Sequence, residues 1–106
     1  MAGALLFSGR PDPTWTPPSE VAENLLAIWN ELKPEDVKPP PAPPLGYRGS
    51  FLRDPQGREW LAYGGVVTFR STGRMESRRD PDKRFEKVLL GSAPDGTLPK
   101  SFLVTD

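Results

Sequence analysis

One stretch of the chain repeats apolar residues at the spacing of an amphipathic helix. Steps of four, three, one and three residues place these side chains on one helical face, and they are Val21, Leu25, Ile28, Trp29 and Leu32. Thr16 suits the N-cap and Pro17 the first helical position. Pro34 ends the helix at or before Lys33. The pattern predicts a helix over residues 17 to 33 whose apolar face is buried.

From Leu45 onward the pattern changes to short runs that are typical of strands. Residues 45 to 53 and 58 to 63 flank the sequence Asp-Pro-Gln-Gly, which suits a type I turn because proline stands second and glycine fourth. This arrangement predicts a hairpin. Gly64 and Gly65 then precede a third apolar run, either as a bulge that bends one long strand or as a separate turn. A further turn at residues 71 to 73 leads toward Met75.

The two ends of the chain add shorter elements. Residues 3 to 8 form an apolar run that predicts a strand, and Trp15 anchors the extended loop that follows it. Asp80 and Pro81 repeat the cap-then-proline signal, which predicts a second helix over about residues 81 to 90. We expect residues 92 to 106 to form a loop or a docked tail, with an edge strand possible only at its end, residues 101 to 104.

The order of these elements predicts an α+β fold in a single domain spanning residues 1 to 106. We expect a small antiparallel sheet with the amphipathic helix packed on one face and a second, short helix near the C-terminal end. A chain of 106 residues can bury one core, and its 36% apolar content is too high for a wholly disordered protein.

A proline-rich connection joins the first helix to the strands. It spans residues 34 to 44 and contains Pro34, Pro39, Pro40, Pro41, Pro43 and Pro44. Because proline has no amide hydrogen, this segment cannot form a helix or a central strand, and polyproline II geometry is expected. Two interpretations remain open. The segment is a stiff crossover between helix and sheet, or it is a ligand for an aromatic-lined groove on a partner.

The chain contains no histidine and no cysteine, which removes the usual proton shuttle, the usual nucleophile and the usual metal ligands. Catalytic triads of the common kind, zinc sites and iron-sulfur sites are therefore excluded. We predict a protein that is not an enzyme and holds no metal or cofactor. The remaining catalytic alternative is a weak hydrolase in which Glu59 and Glu76 face one another as an acid-base pair.

The formal net charge is zero, so no overall field attracts nucleic acid or an anionic membrane. The stretch from Arg70 to Lys87 is locally basic, but acidic residues interrupt it. It is a solvated face or a weak phosphate-tracking patch; we do not expect nucleic acid binding. The apolar run at residues 4 to 7 is too short for a secretory signal or a membrane span, so we predict a cytoplasmic protein.

Three sequence blocks carry a resemblance to other proteins. They are FSGRPDPTW at residues 7 to 15, LGYRGSFLRD at residues 45 to 54, and DPDKRFEKVLL at residues 80 to 90. The chain resembles a scattered group of small bacterial proteins that share such an opening, a central LGYRG segment and a late helix of this type. That group has no established activity. The resemblance therefore implies a self-contained natural domain and assigns no catalytic residues.

Taken together, these features favour binding over catalysis. We predict an accessory protein that docks on a larger protein through rigid proline-rich segments and exposed aromatic side chains, because stiff segments lose little entropy on binding. The residues predicted to contact the partner are Arg10, Trp15, Pro39, Pro40, Pro41, Pro43, Pro44, Tyr47 and Arg48. The alternative is a small-ligand or anion-binding domain in which Arg10 and Arg48 converge, with Tyr63 nearby. The oligomeric state is left open.

Overall fold

The computed structural model describes residues 1–6, 11–42 and 46–98 of the chain. Its strands are β1 (Ala2–Ala4), β2 (Thr14–Trp15), β3 (Ser50–Arg53), β4 (Glu59–Tyr63), β5 (Val66–Ser71) and β6 (Arg74–Arg79). Its α-helices are α1 (Ser19–Glu31) and α2 (Arg84–Gly91), and a 3-10 turn at Pro81–Lys83 precedes the second. The six strands form one antiparallel sheet. The predicted α+β class is confirmed.

The sheet is built mainly from consecutive hairpins, in the order β2-β1-β3-β4-β5-β6. The hairpin of β3 and β4 is closed by the Gly57 N–H, which donates to the Asp54 carbonyl at 3.2 Å, as the turn sequence predicts. Gly64 and Gly65 form a separate turn rather than a bulge, because Tyr63 and Val66 on either side of them pair directly. The strands therefore reverse direction at each predicted turn.

The strand register assigns alternate residues to two faces, since residues paired across antiparallel strands share a face. Ala2, Leu52, Trp60 and Phe69 form one continuous row across four strands. All four are buried and belong to the hydrophobic core together with residues of both helices. We call this side of the sheet the inner face. The opposite, outer face carries Phe51 together with Arg53, Glu59 and Arg70.

Helix α1 begins two residues later than the sequence pattern predicts. The prediction of Thr16 as N-cap and Pro17 as first helical residue is wrong; Pro18 is the N-cap, and its ψ of 151° is extended. Consecutive prolines explain the shift, because a proline disfavours the helical conformation of the residue before it. The Pro18 carbonyl accepts the N–H groups of Val21 and Ala22, each at 3.0 Å.

The predicted apolar stripe of α1 packs on the core. Leu25, Ile28 and Trp29 are buried, while Val21 and Leu32 pack against the core from its margin. The helix ends at Glu31, before Pro34, as predicted. The prediction did not include the residue that covers this end, which is Arg78 of β6. Its guanidinium donates to the Trp29 carbonyl at 2.7 Å and lies 4.1 Å from the centre of the Trp29 ring.

Asp80 organises the start of α2 from within the core. Its side chain is 2% exposed, and its two carboxylate oxygens accept the N–H groups of Phe85 and Glu86 at 3.0 and 3.2 Å. These amides belong to the first turn of the helix, where no carbonyl of the helix itself can reach them. A second helix is confirmed, but it begins at Arg84 rather than at residue 81, because residues 81 to 83 form the 3-10 turn, in which Asp82 and Lys83 have positive φ values of 58° and 54°. Within α2, the side chains of Phe85 and Leu89 are fully buried.

The N-terminal strand is shorter than predicted and has an unpredicted neighbour. Strand β1 covers Ala2–Ala4, and residues 7 and 8 of the predicted strand lie outside the described residues. Trp15 belongs to β2, a two-residue edge strand that pairs with β1. Gly3 is the central residue of β1 and pairs with Phe51 of β3, and a Cβ at this position would lie within 3.0 Å of the Phe51 ring. Glycine is therefore required for the aromatic ring to pack on β1.

Candidate functional site

The part of the proline-rich connection that the structure describes is residues 34–42, which we call the proline segment. It starts along the free edge of β6, the last strand of the sheet. Pro34 forms an isolated bridge with Arg78, and the Glu35 N–H donates to the Ser77 carbonyl at 3.1 Å. The Arg79 guanidinium then holds the Glu35 carboxylate with two hydrogen bonds of 2.6 and 2.9 Å. The segment is thus tied to the sheet as soon as it leaves α1.

A second anchor lies near the middle of the proline segment. The Val37 N–H donates to the Glu35 carbonyl at 2.8 Å, so the chain turns tightly there. Pro40 then packs against Gly64 in the turn between β4 and β5. A Cβ on Gly64 would come within 3.0 Å of the Pro40 ring, a separation that real Cβ atoms essentially never show. Proline and glycine fit together here because glycine has no side chain.

Although the Pro40 ring contacts Gly64, Pro40 and the prolines on either side of it are exposed. Pro39, Pro40, Pro41 and Ala42 are all exposed. Three adjacent prolines present ring surfaces and carbonyl oxygens but no amide donors, which is the chemistry that aromatic-lined grooves recognise. Of the predicted partner-binding residues, these three prolines lie together at the surface. Arg10, Pro43 and Pro44 lie outside the described residues.

Trp15 does not contribute to this surface. It was predicted as an exposed aromatic contact, and that prediction is wrong because only 6% of the residue is exposed. Its ring lies on the inner face of the sheet, in register with Ala2. Its indole N–H donates to the Ser92 hydroxyl at 2.9 Å, and that hydroxyl in turn donates to the Leu89 carbonyl at 2.6 Å. Trp15 therefore connects the edge strand to the end of α2.

Tyr47 and Arg48 lie just before β3 and are half-buried. Tyr47, which was predicted as a docking side chain, is already engaged inside the protein, because its hydroxyl donates a short hydrogen bond to Glu86 of α2. Its ring packs on Tyr63, with 5.8 Å between the ring centres. The Arg48 backbone N–H donates to the Leu5 carbonyl at 2.8 Å. This segment extends the pairing of β1 with β3 and is held by α2.

The contact of Tyr47 with Glu86 forms part of a buried polar cluster. Glu86 is 5% exposed, and burial raises the pKa of its carboxyl group although the hydrogen bond from Tyr47 acts in the opposite direction. Burial and the contact with Glu86 also raise the pKa of Tyr47. Within the described residues, the Glu86 Oε1 atom has no hydrogen-bond partner. The cluster attaches α2 to the start of β3 at an energetic cost.

Sequence reasoning missed Glu86, although a signal was present. The buried face of α2 carries Phe85, which precedes Glu86, and Leu89, which lies three residues after Glu86. Position 86 therefore falls at the margin of the apolar stripe. A carboxylate at such a position needs a donor from another element, and Tyr47 is that donor. No spacing in the sequence connects residues 47 and 86.

The proposed catalytic pair of Glu59 and Glu76 is not formed. Glu59 is opposite Arg70 in the sheet and Glu76 is opposite Phe69, so the two carboxylates project from opposite faces. Each one accepts hydrogen bonds from two arginines. For Glu59, these bonds outweigh desolvation and lower the pKa, and for Glu76 the bond from Arg78 is the largest cause of the same lowering. Neither group has the raised pKa of a general acid.

The basic stretch from Arg70 to Lys87 is extensively paired with carboxylates. Its arginine partners within the described structure are Glu59 for Arg70, Glu76 for Arg74 and Arg78, Glu35 for Arg79, and Glu31 for Arg84. The pairs join neighbouring strands, the proline segment and both helices. The arginines of this stretch therefore contribute to the internal architecture of the domain.

Across residues 1–6, 11–42 and 46–98, no group of three or more carboxylate side chains is placed to hold a metal ion. No helix in the same ranges has the length and apolar character needed to cross a bilayer. No family model, curated protein or solved structure matches the chain. Function is therefore argued from the geometry of the surface.

Proposed function

We propose that this chain is a non-catalytic accessory protein of the cytoplasm that docks on a larger protein through the proline segment. The observation that carries the proposal is the combination of exposure and anchoring at Pro39, Pro40 and Pro41. All three residues are exposed, while the pairing of Glu35 with Arg79 and the packing of the Pro40 ring on Gly64 hold the segment on the sheet. A surface that is both exposed and held in place is suited to recognition.

The energetic reason lies in the cost of ordering a flexible chain. A free loop loses about 1–2 kcal/mol of conformational free energy for each residue that binding immobilises. Residues 39 to 41 have already lost part of this freedom through proline ring closure and through the contact of Pro40 with Gly64. A partner groove lined by aromatic side chains gains ring contacts and needs to supply hydrogen-bond donors only to carbonyl oxygens.

The surrounding charges favour a proline-directed contact over a purely ionic one. The carboxylate of Glu35 is already paired with Arg79, so it is not available to a partner without breaking that bond. Asp36 and Lys38, both exposed, carry opposite charges on either side of Val37. The ionic field near the prolines is therefore close to neutral. Recognition by apolar and aromatic surface fits this environment better than recognition by a charged patch.

The proposal is tested by capture with the immobilised full-length protein and two matched variants. The test variant carries Pro39→Ala and Pro41→Ala, which leave the anchoring ring of Pro40 in place. The control carries Pro55→Ala and Pro94→Ala, two exposed prolines in other loops. We expect one partner, bound in stoichiometric amount by the wild type and the control, to bind the test variant at least about tenfold more weakly, a difference of ~1.4 kcal/mol.

Two results would contradict the proposal. One is that no stoichiometric partner is retained by the wild type from native lysate. The other is a partner retained equally by the test variant and the control, which would locate the binding surface elsewhere. Circular dichroism and thermal unfolding of both variants show whether the fold is intact, so weaker binding cannot be mistaken for unfolding.

A further inference from the structure

A small pocket lies away from the proline segment, between the first half of α1 and the hairpin of β3 and β4. Ala22 and Leu26 form its helical wall, Leu52 and Trp60 line it from the inner face of the sheet, and Pro17 closes one end. Its volume is about 200 Å³. These five side chains are apolar. The pocket is thus suited to the body of an apolar molecule.

Arg58 lines the same pocket and is held in a defined position. Its guanidinium lies 5.4 Å from the centre of the Trp60 ring, and its Nε donates a short hydrogen bond to the Asp54 carboxylate. Asp54 is fixed in turn by the N–H groups of Gln56 and Arg58, at 3.0 and 2.9 Å. Within the described structure, the two terminal nitrogen atoms of Arg58 make no hydrogen bond. They form the fork that binds a carboxylate with two parallel bonds.

The pairing of the charged side chains leaves Arg58 for an anion. The charged side chains that line the pocket are Arg53, Asp54 and Arg58. The Arg53 guanidinium is already paired with Glu59 at 2.7 Å, and the register of β3 places it on the outer face, opposite to Leu52 and Trp60. Asp54 already uses its oxygens on backbone amides and on Arg58. The side of Arg58 that does not face Asp54 is therefore left for a negatively charged group.

Trp60, which also lines the pocket, carries a buried donor. Trp60 is 3% exposed, and among the described residues its indole N–H has no acceptor. Most buried donors in folded proteins have a partner, so an unpaired one requires an explanation. This N–H is closed to solvent in the free protein, and an oxygen atom reaches it only if the ring shifts as a ligand enters. The resonance of this N–H is consequently a sensitive reporter of binding.

We propose that this pocket binds a small monocarboxylate with one apolar ring or a short branched chain. The apolar body lies against Leu26, Leu52 and Trp60, and the carboxylate pairs with the Arg58 guanidinium. The volume sets the size, since a cavity of ~150 Å³ holds benzene and drug-sized ligands occupy ~300–1,000 Å³. A pocket of about 200 Å³ therefore admits one ring with a short arm. This inference is independent of the proline segment.

The test uses phenylacetate as the probe and two comparison molecules that each lack one half of its chemistry. Phenylacetamide keeps the ring and removes the charge, while acetate keeps the charge and removes the ring. Binding to the full chain is followed by two-dimensional NMR, including the Trp60 indole resonance. We expect saturable binding of phenylacetate that is at least about tenfold tighter than that of either comparison molecule, the difference expected for a charge-assisted bidentate contact.

Two pairs of variants test the location of the site. Ala22→Leu fills the pocket, and its control Ala27→Leu places the same side chain on the exposed face of α1. Arg58→Gln removes the guanidinium fork. Its control is Arg74→Gln, because Arg74 also lies over an aromatic ring, at 5.8 Å, and pairs with a carboxylate at 3.1 Å. We expect phenylacetate binding to be lost in Ala22→Leu, weakened about tenfold in Arg58→Gln, and unchanged in both controls.

Three results would overturn the proposal. They are the absence of saturable phenylacetate binding by the wild type, equal binding of phenylacetate and phenylacetamide, and equal weakening by the Arg58 and Arg74 variants. If Ala22→Leu fails to fold, the comparison of the three molecules and the arginine pair still decide the outcome. A positive result with a negative capture experiment would support ligand binding and contradict docking, so the two proposals can fail separately.

Discussion

Replacing Gly64 by alanine tests whether the proline segment is held on the sheet. Gly64 has a φ of +62°, which side chains disfavour, and its missing Cβ leaves room for the Pro40 ring. Alanine therefore adds two separate penalties at this position. One is the left-handed backbone conformation, and the other is overlap with Pro40. A second glycine separates them, because Gly73 has a φ of +71° and no atom within 4 Å of its Cβ position.

The expected magnitudes follow from these two geometries. A left-handed alanine costs about 1–2 kcal/mol, and the lower entropy of the unfolded chain returns roughly 0.4–1 kcal/mol. Gly73→Ala should therefore lower the free energy of unfolding by about 1 kcal/mol. Gly64→Ala carries the same penalty plus the displacement of Pro40, and overpacking typically costs about 1–3 kcal/mol. We expect a total loss of about 2–4 kcal/mol for Gly64→Ala.

The assay is urea unfolding at equilibrium, followed by tryptophan fluorescence, for both glycine variants and for Pro40→Ala alone and combined with Gly64→Ala. Truncating Pro40 removes the ring atoms that the new Cβ would meet. The two substitutions should therefore couple, with a favourable interaction of at least about 1 kcal/mol in the double variant. Equal losses in Gly64→Ala and Gly73→Ala, with no coupling to Pro40, would refute the claim that this contact anchors the proline segment.

The remaining predictions concern the buried polar groups and the core. Burial raises the pKa of the Glu86 carboxyl group above its unfolded value of about 4.5, so the folded state binds the carboxyl proton more tightly than the unfolded state does. The stability that this proton binding contributes is present at low pH and is lost as pH rises through the folded-state pKa. Glu86→Gln should therefore gain stability relative to wild type as pH rises above about 4.5 in urea titrations; a constant difference would contradict this. Asp80→Ala leaves two buried amides of α2 unpaired and should cost about 1–3 kcal/mol by the same assay; Asp80→Asn, which keeps one acceptor oxygen, should cost less. Leu25→Ala, at a fully buried position, should lower the free energy of unfolding by about 2–5 kcal/mol. Leu26→Ala should lower it by less, because Leu26 is only half-buried.

The local elements of this fold were predictable where a short segment carries its own signal. The α1 stripe from Val21 to Leu32 has helical spacing, and burying that stripe favours the helix in any compact state. The Asp54 to Gly57 turn closes through its own backbone and side-chain bonds. The helix start at residue 17 was wrong by two residues because the effect of Pro18 on Pro17 outweighed the preference for proline at the first position.

The candidate sites were predictable only in part, because exposure depends on distant segments. The exposed prolines at residues 39 to 41 follow from their composition, since such a segment cannot enter the sheet. Trp15 and Tyr47 were predicted as surface contacts, yet the first packs in the core beside Ser92 and the second bonds to Glu86. An isolated aromatic residue in a loop carries no local signal that distinguishes burial from exposure.

By itself, the sequence determined the α+β class, the buried stripe of α1 and the turns that join β3, β4, β5 and β6, and it excluded chemistry that needs histidine or cysteine. Local periodicity, proline and glycine act over a few residues, so their effects can be read without the fold. Tertiary structure alone decided that Arg78 covers the end of α1, that Glu59 and Glu76 lie on opposite faces, and that Arg58 borders an apolar pocket. These relations join residues far apart along the chain, and the register of the sheet brings them together or keeps them apart.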